Sequence, residues 1–206
     1  MVGLLVSLLA VMGTMALYRT VMHTTSESTV YARLSGDRSA SLLAAHSYLQ
    51  EAGFGVEDAT PGTDVALCTP GNPDGDLRGS GCVPAGRGSL VLWRLVDGSM
   101  QCAGLHITEG GGLEYLQPQP CAGALSTGSW PVTQRRVLFA PGPTAAGFVA
   151  LELVDEACQA LGVAGEGSLR VRLEAEHPVA ADLSSGSESV PIYSSTCLVN
   201  FRRVRT

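Results

Sequence analysis

The chain has 206 residues, of which 45% are hydrophobic and 16% charged, with a formal net charge of −6. That balance argues against nucleic acid as a partner, since nucleic-acid binders present a basic face. All thirteen basic residues are arginines, which reads as a codon-composition bias, while twenty-five glycines and eleven prolines predict a loop-rich domain.

The chain opens on Met1–Tyr18, MVGLLVSLLAVMGTMALY, a run without a charge that Arg19 ends. As a helix it reaches roughly 27 Å, close to the hydrocarbon core of a bilayer. A cleaved secretory signal wants a basic start and a small-x-small site, and neither is present before Arg19. The helical pattern continues instead. Tyr31, Leu34, Leu42, Ala45 and Leu49 recur at helical spacing, with Arg38 interrupting the stripe. Ser35-Gly36-Asp37 is a point where a helix kinks or breaks. Gly53 is a helix stop, with Leu49 and Phe54 placed to seal the end. Two parts follow: an N-terminal helical part, residues 1–52, and a β-rich domain, residues 53–206.

Residues 53–88 read as loop, punctuated by PGTD, PGNPDGD and GSG, with a short strand at Val65–Leu67. Asn72, Asp74 and Asp76 alternate as in a calcium loop, but Leu77 stands where glycine is needed, so a solvated turn is expected. Ser89–Val96 is the clearest strand, with Trp93 in the core. Asp97-Gly98 turns it into a return strand over Met100–Thr108. Leu113–Leu116 and Gln134–Ala140 follow as strands. Gly147–Val154 reads as a strand leading into a short helix through Leu161, because Leu151, Val154, Cys158 and Leu161 recur at helical spacing. Ser168–Ala175 alternates, with Leu169, Val171 and Leu173 on one face and Arg170, Arg172 and Glu174 on the other. Thr196–Val204 closes the sheet.

Six cysteines, Cys68, Cys82, Cys102, Cys121, Cys158 and Cys197, lie outside the apolar run at gaps too wide for C-x-x-C pairs. With an export-type N-terminus, three disulfides in an oxidising compartment are expected. Six cysteines allow fifteen pairings, and the chain-neighbour set Cys68–Cys82, Cys102–Cys121 and Cys158–Cys197 is expected because it closes short loops.

The run MVGLLVSLLAVMGTMALYRTVM, the segment SASLLAAHSYLQEAGFGV from Ser39 to Val56 and the ending CLVNFRRVR together resemble minor type IV pilins of the PilW type and, as close relatives, J-type pseudopilins of type II secretion. The resemblance covers roughly the first 56 residues well and the last ten loosely. It implies an α+β, type IV pilin-like fold: a long N-terminal helix packed on an antiparallel β-sheet domain. The implied function is structural, as a prepilin-derived minor pilin that helps initiate or cap pilus assembly, without cofactor, metal or catalytic residue. A transmembrane helix would hold the subunit in the bacterial inner membrane with its domain in the periplasm, before it enters the filament, at the tip. The implied partners are other minor and major pilins, the inner membrane and the pilus assembly machinery. Gly3, Ser7, Gly13 and Ala16 are the small residues that permit close helix packing. The family's cleavage-site glycine and following glutamate are absent, and Met1 stands where the residue after that glutamate is expected. A chain numbered from a late start, or truncated, is the expected explanation.

An alternative of another class is a membrane-anchored periplasmic enzyme or binding protein. The sequence has no G-x-S-x-G, H-E-x-x-H or Walker loop, and His23, His46, His106 and His177 have no ligand spacing. A buried Ser–His pair in a cleft would favour the enzyme. One continuous helix of about 50 residues, with its apolar first half exposed, would favour the pilin.

Overall fold

A computed structural model of the chain describes residues 2–72, 74–121, 123–141, 147–159, 166–176 and 191–201. One helix, α1, runs from Val2 to Gln50 without interruption at Ser35-Gly36-Asp37. Eleven strands follow among the described residues: β1 (Val65–Gly71), β2 (Leu77–Val83), β3 (Gly86–Gly88), β4 (Leu90–Asp97), β5 (Ser99–Ile107), β6 (Leu113–Pro120), β7 (Ser129–Trp130), β8 (Arg135–Phe139), β9 (Phe148–Gln159), β10 (Glu166–Ala175) and β11 (Ile192–Leu198). The chain divides into two compact units, Met1–Arg38 and Ser39–Thr206.

These strands form two antiparallel sheets, one seven-stranded in the order β7-β2-β1-β4-β5-β6-β8 and one four-stranded in the order β11-β10-β9-β3. The larger sheet is nearly closed. Its two edge strands, β7 and β8, are separated in sequence by Pro131–Gln134 alone. In a flat sheet they would stand about 29 Å apart, at about 4.8 Å per strand. Trp130 to Arg135 spans at most about 18 Å of extended chain, so the sheet must curl. Arg135 Nε donates to the Trp130 carbonyl at 3.1 Å, and Trp130 Nε1 donates to the Gln117 carbonyl of β6 at 3.0 Å, which ties the two edges together.

Curling sorts the alternating side chains into two cores. Inside lie Ala66, Leu77, Leu90, Leu92, Leu116 and Trp130, with Cys68 and Cys102. Outside lie Val65, Val91, Trp93, Leu105 and Tyr115, covered by Leu151, Leu153, Val171 and Leu173 of the second sheet and by Ala45 and Leu49 of the helix. The interior is crowded around Leu92. A Cβ on Gly104 would stand 2.6 Å from Leu92 Cδ2 and 3.0 Å from Leu116 Cδ1, so a glycine is needed there.

This architecture corrects the expected one. The fold is mostly β, with a nearly closed sheet and a second sheet against it, and is not a long helix laid along a single sheet. Of α1, only the last turns after Arg38 belong to the packed unit. Keeping Trp93 and Leu92 both buried on one strand takes a cover on each face, and a single helix against a flat sheet supplies only one. Nor is there a membrane-spanning helix: among the described residues, no helix is long and apolar enough to cross a membrane. The expected transmembrane helix and pilin-like architecture are withdrawn with these findings.

Smaller expectations are corrected too. Residues 148–159 are one strand, with no helix in the described part of the segment through Leu161. The helical spacing of Leu151, Val154 and Cys158 yields to pairing with β10 on one side and β3 on the other. The supposed loop 53–88 contains β2 and β3, whose glycines and exposed residues read as loop, although Gly79 is fitted against Leu92 and Cys68. Phe54 does not seal the helix end, being exposed. Phe201, fully buried, takes that place: its ring lies 2.8 Å from where a Gly53 Cβ would be, and Gly53 holds the left-handed φ of 75° that ends the helix. The closing strand is Ile192–Leu198, and residues 202–204 of the expected Thr196–Val204 strand lie outside the described residues.

Three disulfides join chain neighbours. Cys68 bonds Cys82, Cys102 bonds Cys121, and Cys158 bonds Cys197. The first two staple the nearly closed sheet, and the third bridges β9 and β11 across β10.

Candidate functional site

Unit Met1–Arg38 carries a surface unlike the rest of the molecule. Val11 is 55% exposed, Met15 69%, Tyr18 65% and Met22 54%. Their spacing of four, three and four residues places them in one stripe along the helix. Leu17 and Val21 form a second exposed apolar pair about a quarter-turn away, and Met12 is exposed as well. Contiguous exposed apolar surface on this scale marks an interaction site.

Six Ser and Thr hydroxyls in and beyond this stretch are bonded within the helix. Thr14, Thr20, Thr24, Thr25, Ser26 and Thr29 donate to carbonyls three or four residues back, at 2.7–3.2 Å. These six groups would enter an apolar contact without being left unpaired, whereas the Tyr18 hydroxyl in the stripe would need water or a partner at its tip.

The four small residues singled out from the sequence lie in this helix but not on one face. Gly3 and Ser7 are four apart and Gly13 and Ala16 three apart, and the six-residue step between the pairs turns the second pair well away from the first. A Cβ on Gly3 or Gly13 would meet nothing within 4 Å, so no part of the described chain packs on them. Ala16 is exposed, and the side chain of Ser7 lies outside the described residues.

The base of the helix is anchored by residues about 150 positions away. His46 Nδ1 meets Thr196 Oγ1 at 2.8 Å, and His46 Nε2 meets the Gln50 amide at 2.9 Å. Asn200 Nδ2 donates to the Ala52 carbonyl at 2.8 Å and the Gln50 carbonyl at 3.3 Å, capping the open end of α1. Gly53 N–H donates to Arg94 O and Val96 N–H to Phe54 O, both at 2.8 Å, which stitches the helix end to β4. Tyr48 stacks on Tyr115 with ring centroids 3.7 Å apart. Burial pushes the Tyr115 hydroxyl above its ordinary pKa and does the same to the Glu51 carboxyl. The anchors that join the helix end to the rest of the body were not legible as such, because each pairs residues far apart in the chain.

Clefts open among the described residues of the body. One, of about 580 Å³, is bordered by His106, Thr108, Glu109, Phe148 and Glu176. His106 is buried and meets Glu114 Oε2 at 3.2 Å, with Arg135 Nη1 4.0 Å from the same oxygen. The hydrogen bond from His106, opposed by burial and helped by the charges of His106 and Arg135, holds the Glu114 carboxyl below the usual range. Arg135 also donates to the Gly75 carbonyl, so this polar cluster plugs one end of the curled sheet. The second cleft, of about 410 Å³, lies among Arg87, Glu152, Arg172 and Glu174. Its charges are paired: Arg87–Glu174 at 2.6 Å and Arg172–Glu152 at 3.5 Å.

Ser89 and Thr108 border the first cleft with His106, but among the described residues no hydrogen bond joins either hydroxyl to that imidazole, whose Nδ1 meets Glu114. The hydroxyl that meets a histidine, Thr196, is itself buried and holds the helix base. Among the described residues no group of three or more His, Cys, Asp or Glu is placed to hold a metal ion. Asn72, Asp74 and Asp76 sit in and beside the β1–β2 turn, where Asn72 takes a φ of 52° and accepts from Gly75 N–H at 3.2 Å. The chain matches no family model, no curated protein and no solved structure.

Proposed function

We infer that the chain is a structural subunit of a helix-cored assembly, in the role of a minor pilin that helps initiate or cap a type IV pilus. The observation that carries this reading is the continuous helix Val2–Gln50, whose stretch from Val11 to Met22 turns Val, Met, Leu and Tyr side chains outward. Burying such residues releases about 1.5–3 kcal/mol each, a gain that helices of neighbouring subunits would provide. The proposed partners are other minor and major pilins, and the proposed setting is an oxidising compartment and then the filament, which fits three disulfides. A J-type pseudopilin would use the same surface in a secretion filament. The reading assigns no catalytic residue, because the helix surface and the domain anchoring it are the working parts.

The test is incorporation. Met15→Glu and Tyr18→Glu are introduced singly in the cell of origin, and sheared filaments are assayed for the subunit. The expected result is a folded domain in the cell and its loss from filaments. Undiminished recovery of both variants in filaments would overturn the reading.

A further inference from the structure

The outer face of the second sheet carries a polar row that runs across the strands. Along β10, Leu169, Val171 and Leu173 are buried in the core, so Arg170, Arg172 and Glu174 point outward. Arg172 is in register with Ser195 of β11 on one side and with Glu152 of β9 on the other, and Glu152 is in register with Arg87 of β3. Ser195, Arg172, Glu152 and Arg87 thus follow one another across all four strands, over about 14 Å at about 4.8 Å per strand. β3 is Gly-Arg-Gly, and a Cβ on Gly88 would stand 3.1 Å from Leu67 Cδ2, so its backbone lies close on the body and Arg87 is its one side chain. Beside the row, Glu174 is in register with Tyr193, which is 60% exposed. These six residues line the cleft of about 410 Å³.

The charges around this cleft select against ions. Arg87 meets Glu174 at 2.6 Å, Arg172 meets Glu152 at 3.5 Å and Glu156 at 3.0 Å, and Arg170 meets Glu156 at 3.8 Å. With three arginines and three glutamates the face has no net charge to draw an ion, and an ion would have to compete with a partner already in place. A neutral ligand need not. The pairs also leave hydrogen-bonding capacity unspent, since a guanidinium has five N–H donors and a carboxylate about four lone-pair sites. Ser195 and Tyr193 add exposed hydroxyls that both donate and accept. Donors and acceptors therefore alternate along the row, and the Tyr193 ring supplies a flat apolar surface beside them. A pyranose ring has the complementary make-up: C–H groups on its faces for an aromatic ring, and hydroxyls on its rim that donate to a glutamate while accepting from an arginine.

We propose that this cleft binds a neutral oligosaccharide, with one sugar ring on Tyr193 and hydroxyls between Arg87, Glu152 and Arg172. The length of the row suits a short run of rings better than a single one. This inference uses a face of the body and not the helix, and its test is read on the isolated chain, so it stands or falls apart from filament incorporation.

The probes are maltohexaose, cellohexaose and N-acetylchitohexaose, with a sulfated heparin fragment as the charged control. Backbone amide shifts of the full chain are followed by NMR during titration. At least one neutral chain should shift the amides of Glu152, Arg172, Tyr193 and Ser195 saturably, and the sulfated control should bind there more weakly. Tyr193→Ala should weaken binding about tenfold, whereas Tyr193→Phe, which keeps the ring, should retain most of it. Glu152→Gln keeps the shape of the side chain and should weaken binding several-fold, and it decides the matter if Tyr193→Ala disturbs the sheet. The proposal is overturned if no neutral chain shifts these amides, if the sulfated fragment binds there more tightly, or if either weakening variant, folded, leaves the affinity unchanged.

Discussion

Val2–Arg38 and Ser39–Thr206 use apolar residues in opposite ways. In the first, Val11, Met15, Leu17, Tyr18 and Met22 stand in solvent on a helix with no core beneath it. In the second, Leu90, Leu92, Trp93, Leu105 and Trp130 are completely buried, and three disulfides brace them. The difference teaches where each region gets its stability. The body is stable through its own packing. An isolated helix gains little from propensity, so its apolar surface has meaning only in company. Breaking the body should therefore cost several kcal/mol, and altering the helix surface should cost almost nothing until partners are present.

The largest loss should follow removal of Cys158–Cys197. It closes the longest of the three loops, a separation of 39 residues, and ties β11 and thus the helix base to β9. Replacing both cysteines by serine should cost about 4 kcal/mol in the chain-entropy picture. Thermal unfolding checks it, and an unchanged midpoint would sink the claim that the disulfide braces the body.

Next comes Leu92→Ala. Leu92 is fully buried inside the curled sheet, between Gly104 and Leu116, and the cavity left should cost about 2–5 kcal/mol. Denaturant titration measures it. A value below about 1 kcal/mol would mean that the interior collapses freely, which a nearly closed and stapled sheet should not permit.

Much of this body was legible in the sequence, and the reasons for the exceptions are physical. Leu90–Asp97 and Glu166–Ala175 announced themselves by alternation or by β-forming residues between glycines, because each has covered neighbours on the face where its apolar side chains point. The helix was legible to its end because Leu42, Ala45 and Leu49 keep a 3.6-residue period against one core. β2 was not legible, since Gly79 is its one small residue fitted against Leu92 and Cys68 and its neighbours Arg78, Ser80 and Gly81 are exposed, a composition that looks like loop. The curl was not legible either. It follows from strand order, with β7 and β8 at opposite edges yet four residues apart, and no local pattern encodes order. The anchors His46–Thr196 and Asn200–Ala52 belong to the same class of long-range fact. For the helix surface, the residue types were plain but their common face was not: Gly3, Ser7, Gly13 and Ala16 were grouped by size, whereas Val11, Met15, Tyr18 and Met22 share the stripe.

Asn200→Ala sharpens the boundary between the regions. Its amide meets two carbonyls at the end of α1, and losing them should cost about 1–2 kcal/mol. Amide exchange should quicken around Leu49–Gly53 and leave Val11–Met22 as it was. Equal quickening throughout the helix would mean that the two regions melt as one.

Two glutamates of the body should respond to pH with opposite sign. The folded pKa of Glu114 is depressed, so its contribution is present above the unfolded value of about 4.3 and lost as pH falls through the folded pKa. Burial raises the folded pKa of Glu51, so its charged form disfavours folding at neutral pH and the penalty lifts as pH falls through that pKa. At pH 7, Glu114→Gln should lower the thermal midpoint and Glu51→Gln should raise it slightly. If both move in the same direction, one of the two environments is misread.

The smallest expected effect on stability is the one with the largest expected effect on assembly. Met15 is 69% exposed, so Met15→Glu removes no contact within the unit and should change stability by no more than about 0.5 kcal/mol. In a packed bundle the same carboxylate would be buried against Val, Leu and Tyr side chains, at a cost of several kcal/mol unless paired. Thermal unfolding of the isolated chain and its recovery in filaments should therefore separate: no shift in the first, loss in the second. A large drop in stability of the isolated chain would show that this side chain already has a cover within the molecule, and the contrast between an outward-facing helix and an inward-facing body would fail at the residue where it is sharpest.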